Sequence, residues 1–95
     1  MGEYYQILTR MREKIQTRHY IVTLHAEEEM DDDEFSIFDV EHAILTGRIR
    51  ERQRDRDSGE WKYCLTGYAL DHREMEIIVK LSVTDKLVII TAYEL

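Results

Sequence analysis

Along the first eighteen residues Tyr4, Leu8, Met11 and Ile15 recur at spacings of four, three and four, which places them on one stripe of a helix. Arg10, Arg12, Glu13 and Lys14 then fall on the wet side. YIVTL, residues 20–24, is a short extended piece, and Thr23 is positioned to cap a second helix that begins near Leu24. Acids early in that helix suit its dipole. Ile37, Val40 and Ile44 share a face of a third helix over residues 37–46, with Ser36 and Asp39 as an acidic capping box and Gly47 at its end.

After Gly47 the period changes to two. Arg48, Arg50, Arg52, Arg54 and Arg56 would turn by about 200° per step on a helix and scatter, whereas on a strand they share one face. Asp57, Ser58 and Gly59 signal a turn, and residues 60–69 continue as a second strand. A two-residue loop at Ser58 and Gly59 sets Asp55 opposite Lys62, Arg54 opposite Tyr63 and Arg56 opposite Trp61, a register that avoids like charges. It puts Trp61 and Tyr63 on the arginine face, and Ile49 with Cys64 on the other. Residues 75–83 alternate as a half-buried strand, residues 84–86 turn, and residues 87–95 form a nearly continuous apolar strand. The expected fold is α+β: N-terminal helices packed on a four-stranded antiparallel sheet. It is a single domain over residues 1–95, with a helix in 1–18, a short strand and two helices in 20–46, and the sheet in 48–95.

Composition agrees with an ordered chain: 43% of residues are hydrophobic and none is proline. No apolar run approaches the ~20 residues of a membrane span, and the N-terminus lacks the apolar core of a signal peptide, so a cytoplasmic location is expected. Cys64 has no second cysteine for a disulfide or a zinc motif and reads as a small buried side chain. The net charge of −7 argues against an evenly basic surface, but the charge is segregated. Residues 27–34 hold seven acids in eight positions, whereas residues 48–56 hold five arginines against two acids. The acids lack the alternating D-x-D loop and glycine of a cation site and read as a solvated helix end; no metal or cofactor is expected. The arginine comb has three readings. It grips phosphates, for which guanidinium forks are suited; it is a solvated edge strand with cross-strand ion pairs; or it is masked by the acidic run, within the fold or across a homodimer.

Four stretches carry a family resemblance: Thr23 to Ala26 (TLHA), Asp39 to Gly47 (DVEHAILTG), Gly59 to Tyr63 (GEWKY) and Leu87 to Tyr93 (LVIITAY). Together they resemble the domain-of-unknown-function 4258 family over about residues 20–94, with the N-terminal helix as an addition. That family is similar in pattern to the RelE and MqsR toxins, bacterial endoribonucleases in which a curved antiparallel sheet backed by helices holds RNA. The resemblance implies the toxin of a type II toxin–antitoxin system, a metal-independent endoribonuclease acting on mRNA. It also implies a small antitoxin partner, zinc-containing in the fullest form of the likeness.

Such cleavage needs a base for the ribose 2′-OH, cations for the phosphate and an acid for the leaving 5′-oxygen. The candidates are His25, Tyr93 and Tyr63 for proton transfer, with Arg50, Arg52, Arg54 and Lys80 for RNA binding. An imidazole at His25 can act as acid or base near neutral pH, or can simply cap the helix. Tyr63 and Trp61 can equally pack under the helices, and Tyr93 can fill the sheet end. Lys62 and Tyr63 point to opposite faces, so they do not share a substrate. The chain departs from the family where an Arg-Met pair commonly follows the His-Ala: here Glu29 and Met30 precede Asp31, Asp32 and Asp33. Those acids give weight to the alternative of a non-catalytic RNA- or protein-binding module, or a self-associating structural protein using the same sheet face.

Overall fold

The three helices form where periodicity and caps place them: α1 Tyr5–Gln16, α2 Leu24–Asp32 and α3 Ile37–Thr46, in a computed structural model that describes residues 2–95. No helix among the described residues is long and apolar enough to cross a membrane. The strands are β1 Tyr20–Val22, β2 Arg48–Arg54, β3 Trp61–Tyr68, β4 Glu74–Leu81 and β5 Leu87–Glu94. Met11 and Ile15 on the α1 stripe are buried, with Tyr4 and Leu8 packed against the same core. Thr23 caps α2 as its position requires: its Oγ1 accepts from Ala26 N at 3.1 Å and donates to Ile90 O at 3.0 Å. At α3, Ser36 N and Oγ donate to Asp39 Oδ2 at 2.8 and 3.2 Å, and Asp39 Oδ1 accepts from Leu70 N at 3.0 Å. One carboxylate therefore closes the helix start and pins the β3–β4 turn.

The sheet has five strands, in the order β1-β5-β4-β3-β2, where four were expected. The additional one is β1, parallel to β5 from Tyr20 opposite Leu87 to Val22 opposite Ile89; the other pairings are antiparallel. The short strand expected within residues 20–46 is there, but it joins the sheet, because its partner lies at the other end of the chain. Because paired residues share a face, the register sorts the side chains. Leu65, Met75, Ile77, Val79, Leu87, Ile89 and Ala92 meet Met11, Val40, Ala43 and Ile44 of the helices in one core. On the other face, which carries no helix, Cys64 pairs with Ile78, Thr66 with Glu76, Glu76 with Tyr93 and Ile78 with Thr91. Gly47 ends α3 through close approach rather than a left-handed turn, with φ of −90°. A Cβ there would lie 2.3 Å from Thr66 O, and one at Gly67 would lie 2.2 Å from Ala43 O, so the two glycines let α3 lie against β3.

Two expectations about β2 are corrected. The observed register sets Arg52 opposite Tyr63, Gln53 opposite Lys62 and Arg54 opposite Trp61, two residues from the expected one. Trp61 and Tyr63 keep arginine neighbours, but the connection runs from Asp55 to Glu60 instead of two residues. Asp55 builds it: Oδ1 accepts from Asp57 N and Ser58 N at 2.8 and 3.1 Å, bonds that hold this carboxyl below the usual carboxylate range. Gly59, at φ +74°, takes the left-handed position.

The second correction is a β-bulge at Arg50. Ile49 opposes Leu65 while Glu51 opposes Cys64, so the comb does not share one face, and Ile49 does not share a face with Cys64. Arg48 and Arg50 lie on the open face; Arg52 and Arg54 lie with Trp61 and Tyr63 on the helix side. Without the bulge, Glu51 and Gln53 would follow buried Ile49 onto the core side of the sheet.

Candidate functional site

On the open face three strands are tied together by side chains. Arg50 Nη2 donates to Glu76 Oε1 at 2.6 Å, and Glu76 Oε2 accepts from the Tyr93 hydroxyl. The Glu76 side chain is only 13% exposed, which strengthens its charge-assisted bonds. The bond to Glu76, burial, and the charges of Glu76 and Glu29 push the Tyr93 phenol up to about 12. Tyr93 is therefore a hydrogen-bond donor here and a poor acid. Cys64 lies on the same face, buried, and burial together with the Glu51 and Glu76 carboxylates pushes its thiol up, the opposite of what a nucleophilic cysteine needs.

The neighbouring edge explains part of the acidic run. β1 covers β5 only as far as Ile89, leaving the outward amides of residues further along to find other acceptors. Glu29 Oε1 accepts from Ala92 N at 3.2 Å and Asp33 Oδ2 accepts from Glu94 N at 2.8 Å. Four residues of helix rise about 6 Å and two residues of strand about 6.8 Å, so acids four apart on α2 match alternate amides of β5. His25, one turn before Glu29, brings Nε2 to 3.4 Å from the same Oε1 while its side chain stays 66% exposed. Arg73 closes the far end of α2: it donates to Asp33 O at 2.7 Å and Glu34 O at 3.3 Å, pairs with Asp71 and Glu94, and lies 4.1 Å over the Phe35 ring. Among the described residues no carboxylate of 27–34 pairs with an arginine of the comb, so the comb is not masked from within the chain.

The helix-side half of the comb has a different setting. The Arg52 and Arg54 guanidinium carbons lie 4.0 and 4.3 Å from the Trp61 ring centroid. Tyr63 meets Tyr4 edge to face at 6.3 Å beside a cleft of about 410 Å³ between α1 and the β2–β3 ribbon. Lys80 stands on the open face with Nζ 3.3 Å from Glu60 Oε1, and Lys62 pairs with Asp55 at 3.7 Å.

Of the residues proposed from sequence, Arg50 and Tyr93 are thus joined through Glu76, whereas His25 pairs with Glu29, which bonds the amide of Ala92 next to Tyr93. Tyr63, Arg52 and Arg54 lie on the other side of the sheet, and Lys80 is engaged separately. Tyr63 and Tyr93 therefore do not converge on one scissile bond. The sequence reading missed Glu76, Glu29 and Arg73. The signal for Glu29 was present, since His25, Glu29 and Asp33 are spaced by four; Glu76 is one of several polar residues in an alternating strand and had none.

The structure thus defines an α+β domain with helices on one face of a mostly antiparallel sheet and a charged, uncovered opposite face. Residues 22–94 match the family described as Domain of unknown function (DUF4258), and the chain belongs to it; α1 lies ahead of the matched region. No curated protein and no solved structure matches the chain.

Proposed function

We propose that the chain is a metal-independent endoribonuclease, the toxin of a toxin–antitoxin pair similar in architecture to RelE and MqsR, held in check by a small antitoxin that in the fullest likeness carries zinc. The observation that supports this is the bonded set of Tyr93, Glu76 and Arg50 on the open face, with the His25–Glu29 pair at the α2 edge, where Glu29 accepts from the amide of Ala92, the residue before Tyr93. On this reading the ribose 2′-OH gives its proton to Glu76 and attacks the adjacent phosphorus, Arg50 stabilises the charge that builds on the phosphate, and protonated His25 gives its proton to the departing 5′-oxygen. The products are a 2′,3′-cyclic phosphate and a 5′-hydroxyl. Tyr93 orients Glu76.

The test is expression followed by RNA analysis, with purified protein assayed in the presence of a chelator. Growth arrest and cyclic-phosphate ends are expected, both lost in His25→Ala and Glu76→Gln variants that still melt cooperatively. Intact RNA and normal growth sink the proposal. A second reading, a module that binds RNA or protein without cutting, is favoured by the bond that keeps Glu76 occupied by Tyr93 and Arg50. It predicts salt-sensitive RNA or protein retention and no cleavage products.

A further inference from the structure

The cleft between α1 and the β2–β3 ribbon plays no part in the chemistry proposed above and opens on the other side of the sheet. Tyr4 at the N-cap of α1, Ile7 and, one turn further, Arg10 of the helix, with Arg52 and Tyr63 of the strands, line an open cleft of about 410 Å³. That volume is within the ~300–1,000 Å³ of small-ligand sites. Arg52 and Arg54 have no carboxylate partner among the described residues; their faces lie against Trp61, and apart from the bond that Arg54 Nη1 donates to Gly59 O at 3.1 Å their N–H edges are left for acceptors. Glu3 also lines the cleft, and Arg10 is shared with Asp85 at 3.1 Å, so the free cationic character comes from the β2 pair.

Guanidinium edges without a carboxylate partner, beside tyrosine rings and an isoleucine, suit a ligand that carries phosphates and flat apolar rings together. A carboxylate-rich peptide would use the cations and leave the Tyr4, Ile7 and Tyr63 surface without a partner. The bulge adds a direction. It puts Arg52 and Arg54 on one side of an unpaired edge strand and Arg48 and Arg50 on the other, so cations run round the edge. A flexible single strand can follow that path; a duplex, with a persistence length of about 50 nm, cannot.

We propose that this cleft is a subsite for single-stranded RNA: one base stacks on one ring of the perpendicular Tyr4–Tyr63 pair and meets the other edge-on, neighbouring phosphates meet Arg52 and Arg54, and the strand passes round the β2 edge towards Arg50. The inference rests on the ribonuclease reading only for the choice of RNA, and none of its contacts requires cleavage. The subsite joins Tyr4, Ile7 and Arg10, which lie ahead of the family match at residues 22–94, to Arg52 and Tyr63 within it.

Trp61, the single tryptophan of the chain, reports on the site. The full chain is titrated with a short single-stranded RNA of mixed sequence while Trp61 emission is followed. The expected result is saturable quenching that weakens with salt. Arg52→Gln and Tyr4→Ala each reduce affinity about tenfold, Tyr4→Phe keeps it, and Lys86→Gln, an exposed charge elsewhere, leaves it unchanged. Melting temperatures of all variants separate lost binding from lost fold, and Tyr4→Leu, which keeps apolar bulk but removes the aromatic face, carries the aromatic test with the same expected loss if Tyr4→Ala unfolds. Full affinity in Arg52→Gln and Tyr4→Ala overturns the proposal. So does an RNA duplex bound as tightly as the single strand, adenosine monophosphate bound as tightly as the oligonucleotide, or a Glu-rich peptide preferred over RNA. Cleavage of the same oligonucleotide is scored separately. Bound, uncut RNA with these losses supports the subsite and counts only against the ribonuclease; cut RNA with no loss in the variants removes the subsite and leaves the ribonuclease standing.

Discussion

The two edges of the sheet are built on opposite plans. Beyond β1, the β5 edge is closed by carboxylates: Glu29 and Asp33 take the amides of Ala92 and Glu94, and Arg73 ties the end of α2 to the same corner. The β2 edge is left without a strand partner and carries arginines alternating with Glu51 and Gln53. The charge segregation along the sequence follows this division. Two of the seven acids in residues 27–34 sit where backbone donors need acceptors, and arginines collect where backbone is left open, a placement that discourages edge-to-edge pairing and leaves cations available. The closed edge is thus part of the folding free energy, whereas the open edge is available for recognition.

Breaking the closed edge should have the largest effect. Ala92 is fully buried, so Glu29→Ala leaves its amide without an acceptor and should cost about 1–3 kcal/mol. At about 4–8 °C per kcal/mol for a domain of this size, the loss is easily read in a thermal melt. Glu29→Gln keeps a side-chain oxygen and should recover most of it, with protection of the Ala92 amide in hydrogen exchange as the direct readout. Unchanged stability in Glu29→Ala would remove the distinction between the edges. Arg73→Ala should come next: it frees the α2 carbonyls at Asp33 and Glu34 and uncovers Phe35, and Arg73→Lys should rescue it poorly because a single ammonium cannot reach all four partners.

How far the sequence announces this division depends on the range of each signal. α1 and α3 are legible because their stripes and caps are local: Met11 and Ile15, Ser36 and Asp39 need no knowledge of the rest of the chain. The uncovered sheet face is legible in the alternation of residues 75–83. The extended run at Tyr20 to Val22 is legible as well, but its place in the sheet is not, since that is set by meeting Leu87 to Ile89. Nor is the bulge: five arginines at alternate positions argue for one face, and the extra residue at Arg50 that divides them is set by the pairing with β3, a tertiary fact. The site follows the same rule. Arg50 and Tyr93 stand out as residue types, but the carboxylate that joins them, Glu76, is set by register across three strands.

The bridge between the edges, Arg50 to Glu76 to Tyr93, can be probed by pH. The Tyr93 phenol is raised from 10.0 to about 12, so its contribution is fully present below pH 10 and is lost as pH rises towards 12. Tyr20 titrates in the same window, raised to about 12 by burial and by the 2.6 Å bond it donates to Glu41. Stability should therefore fall between pH 10 and 12 in the parent chain, less in Tyr93→Phe, and least in the variant with both tyrosines replaced by phenylalanine. Thermal melts, together with tyrosinate absorbance, measure this. Identical pH profiles for the parent and Tyr93→Phe would show that the Glu76 bond is not formed in solution.

The smallest effect on stability belongs to the open edge, and its smallness is the informative result. Arg52 and Arg54 stack on Trp61 at the surface and pair with no carboxylate, so replacing both with glutamine removes two exposed cation–π contacts and one bond to Gly59 O. Exposed substitutions of this kind change stability by no more than about 0.5 kcal/mol. Removing local positive charge from a strand that holds several arginines offsets part of even that loss. Trp61 emission should shift while the melting temperature stays within a few degrees of the parent. A double variant that unfolds as readily as Glu29→Ala would place the arginines in the folding machinery, and the β2 edge would then be a second closed edge. A double variant that folds normally and yet loses RNA leaves recognition as the reason for the arginines, because a role in stability is what the melt has excluded.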